Sequence, residues 1–373
     1  MLNPYLPLLG GGEKYMGHMC KFLEDRYPNA CLDILIHDND HTKLDNKPIP
    51  ALNRRFGLRL SRTSTRMVKF VKELTPWEWF QNKFAVEKIA KEYDLFINNM
   101  FLSRHDGKAR KNIYICLFPP KPSTPEIDRL FVTSYDKFVA ISNFTARWMK
   151  KYLNGIRESV VVYPPAFSEE GSADRYEEDR KENIILAVGR FFVRFNNKKQ
   201  LEMVRLYLNN KKKLKDYELH LAGALSENSM DAAYVNQIRS MIKNERIYLH
   251  INIPFNDLID LYRKAKVLWH ATGLNEDADD TPEKMEHFGI TTVEAMSYGA
   301  VPVVINKGGQ REIVETGKNG FLWDNESDCI DHTVNLISHQ ALRLSMARAA
   351  SLRSREFSTE RFYEALKAVF DGM

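Results

Sequence analysis

The sequence predicts a doubly wound α/β protein made of two successive domains, and three observations lead to that reading. At 373 residues the chain is too long for one comfortable core and about right for two domains. Its apolar runs are mostly continuous rather than alternating, which marks strands covered by helices on both faces. Stretches with helical spacing lie between these runs, so a strand–helix–strand rhythm repeats through both halves.

The elements follow in order. Gly10-Gly11-Gly12-Glu13 opens an amphipathic helix with a glycine loop whose backbone lets a ligand approach closely. Strands of the first half are expected at 31–37, 95–98, 113–118, 138–142 and 160–163. The basic run RRFGLRLSRTSTRMVKFVK, residues 54–72, reads in part as an amphipathic helix with Lys and Arg on its polar face. It is read either as a solvated face, which is preferred slightly, or as a site that docks on anionic lipid. The aromatic string Trp77-Glu78-Trp79-Phe80 suits a membrane interface and an ordinary core equally.

A polar, acidic stretch, SEEGSADRYEEDRKEN, follows Pro164-Pro165 and reads as a linker. The expected division is a first domain at 1–165, a linker at 166–182, a second domain at 183–355 and a C-terminal helical segment at 356–373 that packs back toward the first domain. Strands of the second half are expected at 184–188, 219–222, 248–251, 267–270, 301–305 and 320–323. Helices are expected at 198–208, 233–243, 256–264 and 290–297.

The chemistry concentrates in EHFGITTVEAMSYGAVPVVINKGGQREIVETGKNGFLW, residues 286–323. Gly289, Ile290 and Thr291 enter a helix N-terminus, where unpaired backbone N–H groups and the helix dipole favour an anion. Glu286 and Glu294 bracket that loop, and carboxylates accept hydrogen bonds from paired hydroxyls. A diphosphate held at the helix end would have a sugar on one side and a ribose on the other. Gly189 and Arg190 close the strand before them, and Asn196-Asn197-Lys198-Lys199 follow. Arg190 with Lys198, or Lys199 as the competing choice, suits charge neutralisation of a diphosphate. His270 ends a strand and reads more readily as a structural histidine than as a ligand.

These residues resemble retaining glycosyltransferases of family four. The resemblance is an ordered set: GGGE, YDKFVAISNFTARWM, VVVYPP, AVGR with NKK, HLAG, the Glu286-to-Glu294 pair in EHFGITTVEAM, and AVPVV followed by a GG loop and NGFLW. It covers nearly the whole chain. It implies the GT-B fold, two doubly wound Rossmann-like domains with an interdomain cleft between them. It implies a sugar moved from a nucleoside diphosphate to a hydroxyl of a glycan, lipid-linked or polysaccharide acceptor, as in cell-envelope polysaccharide synthesis. Glu286, Arg190 and Lys198 would be catalytic; Gly189, Gly289, Ile290, Thr291 and Glu294 would bind the donor. Gly11 and Gly12 would line the acceptor side of the cleft. No metal and no cofactor beyond the nucleotide sugar are implied. Two departures stand out. Many relatives carry a histidine where Leu117 stands here, for which His105 is a candidate substitute. Residues Met1 to Pro4 leave little room for the family's first strand, so that strand is either shortened or begins upstream of residue 1.

Other classes fit less well. Neither GGGEKYMG nor AVGRFFVR has the GxGxxG spacing of a nicotinamide oxidoreductase. A non-catalytic sugar-nucleotide-binding subunit of the same fold is the alternative, and an epimerase is a weaker one. Cys20, Cys31, Cys116 and Cys329 are scattered, which disfavours zinc and disulfide frameworks. Residues 1–165 hold 26 Lys and Arg against 17 Asp and Glu, so the first half seeks an anionic partner. No nucleic-acid-binding signature accompanies that charge. With no apolar run of membrane-spanning length and no signal peptide at the start, the expected location is cytoplasmic, with peripheral contact to the inner face of the membrane left open.

Overall fold

The computed structural model describes residues 1–3, 10–38, 48–69, 71, 75–156, 158–168, 176–193 and 197–373. Pro4, Phe70, Lys72, Asn196 and residues 169–175 of the expected linker lie outside the described residues. The chain divides into two compact units. One comprises Met1–Pro165 with Thr359–Met373; the other is Ala166–Ser358.

The first unit runs α1 (Gly11–Arg26), β1 (Leu32–Asp38), α2 (Pro48–Phe56), β2 (Thr63–Lys69), α3 (Pro76–Ala90), β3 (Leu95–Asn98), β4 (Lys111–Cys116), α4 (Pro125–Thr133), β5 (Lys137–Ala140), α5 (Asn143–Tyr152) and β6 (Val160–Val161). Strands β3, β4, β5 and β6 pair in parallel, as do β1 and β2. Leu2 joins the two sets through parallel bridges to Leu35 and Asn98. Its N–H donates to Ile97 O at 2.8 Å, and Asn99 N–H donates to its carbonyl at 3.1 Å. Leu2 therefore bridges β1 and β3 as a single residue. Alternation along β4 shows why both faces need helices. Ile113 and Ile115 pack with Tyr15, Met19 and Val139, while Tyr114 and Cys116 pack with Phe96, Phe131 and Phe138.

One strand, β2, was not expected from sequence, and it changes the reading of the basic run. Helix α2 ends at Phe56, and residues 63–69 form β2. The run is thus mostly loop and edge strand, not an amphipathic helix. Its cations are partly committed: Arg66 pairs with Glu92 at 2.8 Å, and Arg62 contacts the Glu24 carbonyl.

The second unit runs β7 (Glu182–Val188), α6 (Gln200–Asn210), β8 (Glu218–Gly223), α7 (Ser229–Met241), β9 (Ile247–Ile251), α8 (Phe255–Lys264), β10 (Ala265–His270), α9 (Ile290–Ser297), β11 (Val301–Ile305), α10 (Gln310–Ile313), β12 (Phe321–Trp323), α11 (Glu326–Ser338) and α12 (Gln340–Ser354). Its six strands are all parallel, in the order β12-β11-β10-β7-β8-β9. Ile185, Leu219, Leu221, Trp269, Val301, Val303 and Trp323 lie in its core. Both units are thus doubly wound and Rossmann-like. Part of the expected linker packs on this unit, while Glu177, Asp179 and Arg180 stay exposed. The Tyr176 ring lies against Gly299, and Glu178 pairs with the buried Arg343. The last helix, α13 (Thr359–Asp371), belongs to the first unit. There Phe362 meets Tyr15 edge-on at 4.9 Å.

Candidate functional site

In a doubly wound sheet, the loops at the carboxyl ends of the strands are where ligands bind. In the second unit two such loops converge: the one after β7 and the one that runs from β10 into α9. The strands themselves are held by burial, with Ile184 through Ala187 and Val267 through His270 all buried. Their ends therefore present fixed anchor points.

Helix α9 begins at Ile290, with Gly289 at its N-cap. Gly289 has φ +118°, and a Cβ there would stand 2.6 Å from the Gln310 amide nitrogen. Only glycine fits both constraints. No side chain caps this helix end, so its first N–H groups are left for an anion. Thr291 turns toward β7 and donates its hydroxyl to the Val188 carbonyl at 3.4 Å.

Glu286 lies just before this helix end, held by two groups. Lys198 Nζ donates to its Oε2 at 2.7 Å, and His270 Nε2 lies 3.0 Å from the same oxygen. A carboxylate can only accept, so Nε2 of His270 carries the hydrogen. Burial alone would raise the Glu286 carboxyl. The Lys198 charge and the His270 bond outweigh burial and hold it well below the usual carboxylate range. His270 is itself kept below its ordinary value by burial, against the pull of Glu286. The result is a neutral imidazole, an ionised carboxylate and an ammonium in one cluster. Val188, Gly189, Lys198, Trp269 and His270 line a small cavity beside it.

Gly189 makes that approach possible, since a Cβ on it would stand 2.6 Å from the Lys198 stem. The sequence left Lys198 and Lys199 in competition. Lys198 reaches Glu286, whereas Lys199 pairs with Glu276 at 2.9 Å and helps hold the 272–285 segment. Arg190 leaves the same loop as Gly189 and lays its guanidinium over the Phe192 ring at 4.5 Å. Glu294 sits one turn into α9, where its Oε2 accepts from the Tyr262 hydroxyl at 2.8 Å.

The structure adds two residues. His270 was read chiefly as structural, yet it is bonded directly to Glu286; its place at the end of β10 was the available signal. Gln310 is fully buried beside Gly289, and neither atom of its amide has a hydrogen-bond partner. A buried unsatisfied amide at such a place is unusual, and nothing in the sequence marked it.

In the first unit, Gly11 and Gly12 are the first two residues of α1 rather than a loop before it. Gly10 N–H donates to Glu13 Oε2 at 2.7 Å, closing that helix end. Leu117 lies against Gly12, 3.2 Å from where a Cβ would stand. His105 is buried elsewhere, in a polar knot where its carbonyl accepts from the Asn98 amide at 3.3 Å and from the Tyr135 hydroxyl. Burial holds its imidazole down to about 3, so the ring is neutral at physiological pH.

Comparison with known proteins covers much of this ground. Residues 169–353 match the family model described as glycosyl transferases group 1. The human GDP-Man:Man(3)GlcNAc(2)-PP-Dol alpha-1,2-mannosyltransferase is 29% identical over 191 residues, which are 48% of this chain and 36% of that protein. Trehalose synthase of Thermococcus litoralis is 26% identical over 252 residues, 61% of this chain and 55% of that protein. The chain thus spans less than half the length of the mannosyltransferase and just over half of the trehalose synthase. Among solved structures, a glycosyltransferase from Rickettsia africae ESF-5 superposes with TM-score 0.69 at 16% identity, covering 100% of this chain and 97% of that one. Anabaena Alr3699/HepE in complex with UDP gives TM-score 0.69 at 17% identity, covering 98% and 97%. The fold is the GT-B fold.

Proposed function

We propose that this chain is a glycosyltransferase that moves a sugar from a nucleoside diphosphate to an acceptor hydroxyl with retention of anomeric configuration, of the family-four type. The observation that carries the reading is the Glu286 carboxylate, held by Lys198 and His270 beside the open N-terminus of α9. That cluster lies in the segment that matches the group 1 glycosyl transferases.

In this reading the amides of Gly289, Ile290 and Thr291 hold the diphosphate, Glu294 the ribose and Glu286 the sugar hydroxyls. The bond from the anomeric carbon to the phosphate oxygen breaks, and its electron pair leaves on the diphosphate. The acceptor oxygen bonds the same carbon from the same face, and its proton passes to the leaving phosphate. Lys198 and Arg190 meet the charge that develops there. Lys198 exchanges Glu286 for phosphate as the donor enters, which frees Glu286 for the sugar. The reading assigns no metal to the site. Gly11 and Gly12 stand on the acceptor side; the buried His105 is given no part in the chemistry. The mannosyltransferase relatives support GDP-mannose as a first donor and a lipid-linked glycan as a first acceptor class.

The test is thermal melting with GDP-, UDP- and ADP-sugars, followed by transfer from whichever one stabilises the protein. Saturation at about 100 times Kd adds roughly 2.7 kcal/mol. The expected result is one strong donor, with its sugar passed to glycan or lipid-linked acceptors. If no nucleotide sugar raises the melting temperature, the reading fails. Binding without transfer to any acceptor would make the chain a sugar-nucleotide-binding subunit instead.

A further inference from the structure

Helix α3 is apolar on two opposite faces. Val86 and Ala90 are fully buried, and both pack in the core cluster that contains Leu35, Val68 and Phe96. On the other side, Trp77, Phe80 and Phe84 are 70%, 47% and 71% exposed. At about 100° per residue these three share one face, and Lys88 and Lys91 continue it within a sector of roughly 80°. Both lysines are exposed. A globular helix normally shows water its polar side, so an aromatic stripe ending in lysines calls for an occupant.

The helix is firmly placed. Thr75 and Glu78 form a capping box at its start. The Asn82 side chain exchanges two hydrogen bonds with the Val71 backbone, at 2.8 and 2.7 Å. Its acidic residues are already committed: Glu78 to the cap, and Glu87 to Lys83 at 2.7 Å. Neighbouring Glu92 is held by Arg66. Around the stripe the outward charge is therefore positive, in a half of the chain with nine more basic than acidic residues.

We propose that this face of α3 is a docking surface for anionic lipid bilayers. Trp and Phe suit the interface between headgroup and acyl chain, and lysines beside them suit acidic headgroups. A second copy of the chain is a poorer occupant, because the same face on that copy offers the lysines no acidic side chain. The stripe follows β2 into α3, so it begins at the carboxyl edge of the first unit's sheet, the edge at which Gly11 and Gly12 open α1. An acceptor presented at a lipid surface is the consequence; that step rests on the proposed transferase reading, whereas docking itself does not.

The experiment is flotation of the full chain with vesicles of phosphatidylcholine alone and with roughly 30% phosphatidylglycerol added. The wild type should float with the anionic vesicles and be released by salt. The double variant Trp77→Ala/Phe84→Ala should bind at least about tenfold more weakly, and Lys88→Glu/Lys91→Glu should lose the preference for phosphatidylglycerol. Both variants should melt as the wild type does and keep its response to nucleotide sugar, since they alter only exposed side chains of the first unit. Absence of wild-type flotation overturns the proposal, as does undiminished flotation of the aromatic variant. So does a wild-type dimer that the aromatic variant turns into a monomer while vesicle binding is absent. A nucleotide-sugar response without flotation would overturn docking and leave the transferase reading standing.

Discussion

Glu286 Oε2 is shared by Lys198 and His270, at 2.7 and 3.0 Å. A donor that draws Lys198 to its phosphates leaves His270 to keep the carboxylate aimed. Substituting Glu286→Gln should lower the transfer rate by about 10²-fold or more with nucleotide affinity little changed, on the scale of losing one preorganised group. Steady-state kinetics with nucleotide inhibition checks this. His270→Phe should lower kcat while leaving donor KM nearly unchanged, a split expected of a positioning residue. Glu294→Ala should weaken nucleotide binding by about tenfold, roughly 1.4 kcal/mol; unchanged affinity would remove it from the ribose. The pH dependence follows from the lowered Glu286 value. A carboxyl depressed in the fold gives its full contribution above its unfolded value, near 4.3, and loses it only as the pH falls through the folded value. The pH profile of kcat/KM, which reports the donor-free enzyme, should therefore show no acid limb from Glu286 above about pH 4.

Legibility differed among the elements, for physical reasons. Helix α9 was read at its observed limits because glycine stands at both ends, at Gly289 and Gly299, each with positive φ. Strand β11 was read as observed because five apolar residues in a row are all buried. Strand β2 was missed because TSTRMVK sits at the edge of its sheet and buries only Thr63 and Val68. The Glu286–Glu294 spacing and the lysine pair were legible, but their geometry was not. Which lysine meets Glu286 depends on Lys199, whose φ of +57° sets the chain on entry to α6. His270 meets Glu286, and Gln310 comes to lie beside Gly289, only once the chain is folded, so no local pattern announced either. One further element has a measurable signature. Lys181, just before β7, is buried and donates to the Tyr262 and Ala265 carbonyls at 3.3 and 2.7 Å, where α8 ends. Burial lowers its ammonium to about 7. The unfolded chain binds that proton up to about pH 10, so stability should rise between pH 7 and 10, by up to about 4 kcal/mol. Denaturant melts should show this rise in the wild type and not in Lys181→Met.

At the scale of the whole molecule, each unit supplies its own parallel sheet and its own glycine-bearing helix start. The second unit holds the charge chemistry of the proposal at two strand ends: Lys198 follows β7, and His270 and Glu286 come from the end of β10 and the loop after it. The first unit carries the excess of basic charge and the exposed aromatic face of α3. Chelation by EDTA should leave transfer unchanged, because the reading meets diphosphate charge with the α9 amides, Lys198 and Arg190. The most direct measurement is a crystal structure of the protein with the nucleotide sugar that stabilises it most. The account predicts the diphosphate at the N-terminus of α9, Lys198 moved from Glu286 onto a phosphate oxygen, and Glu286 on the sugar hydroxyls. A nucleotide bound elsewhere, with the Lys198–Glu286 pair intact at 2.7 Å, would contradict it.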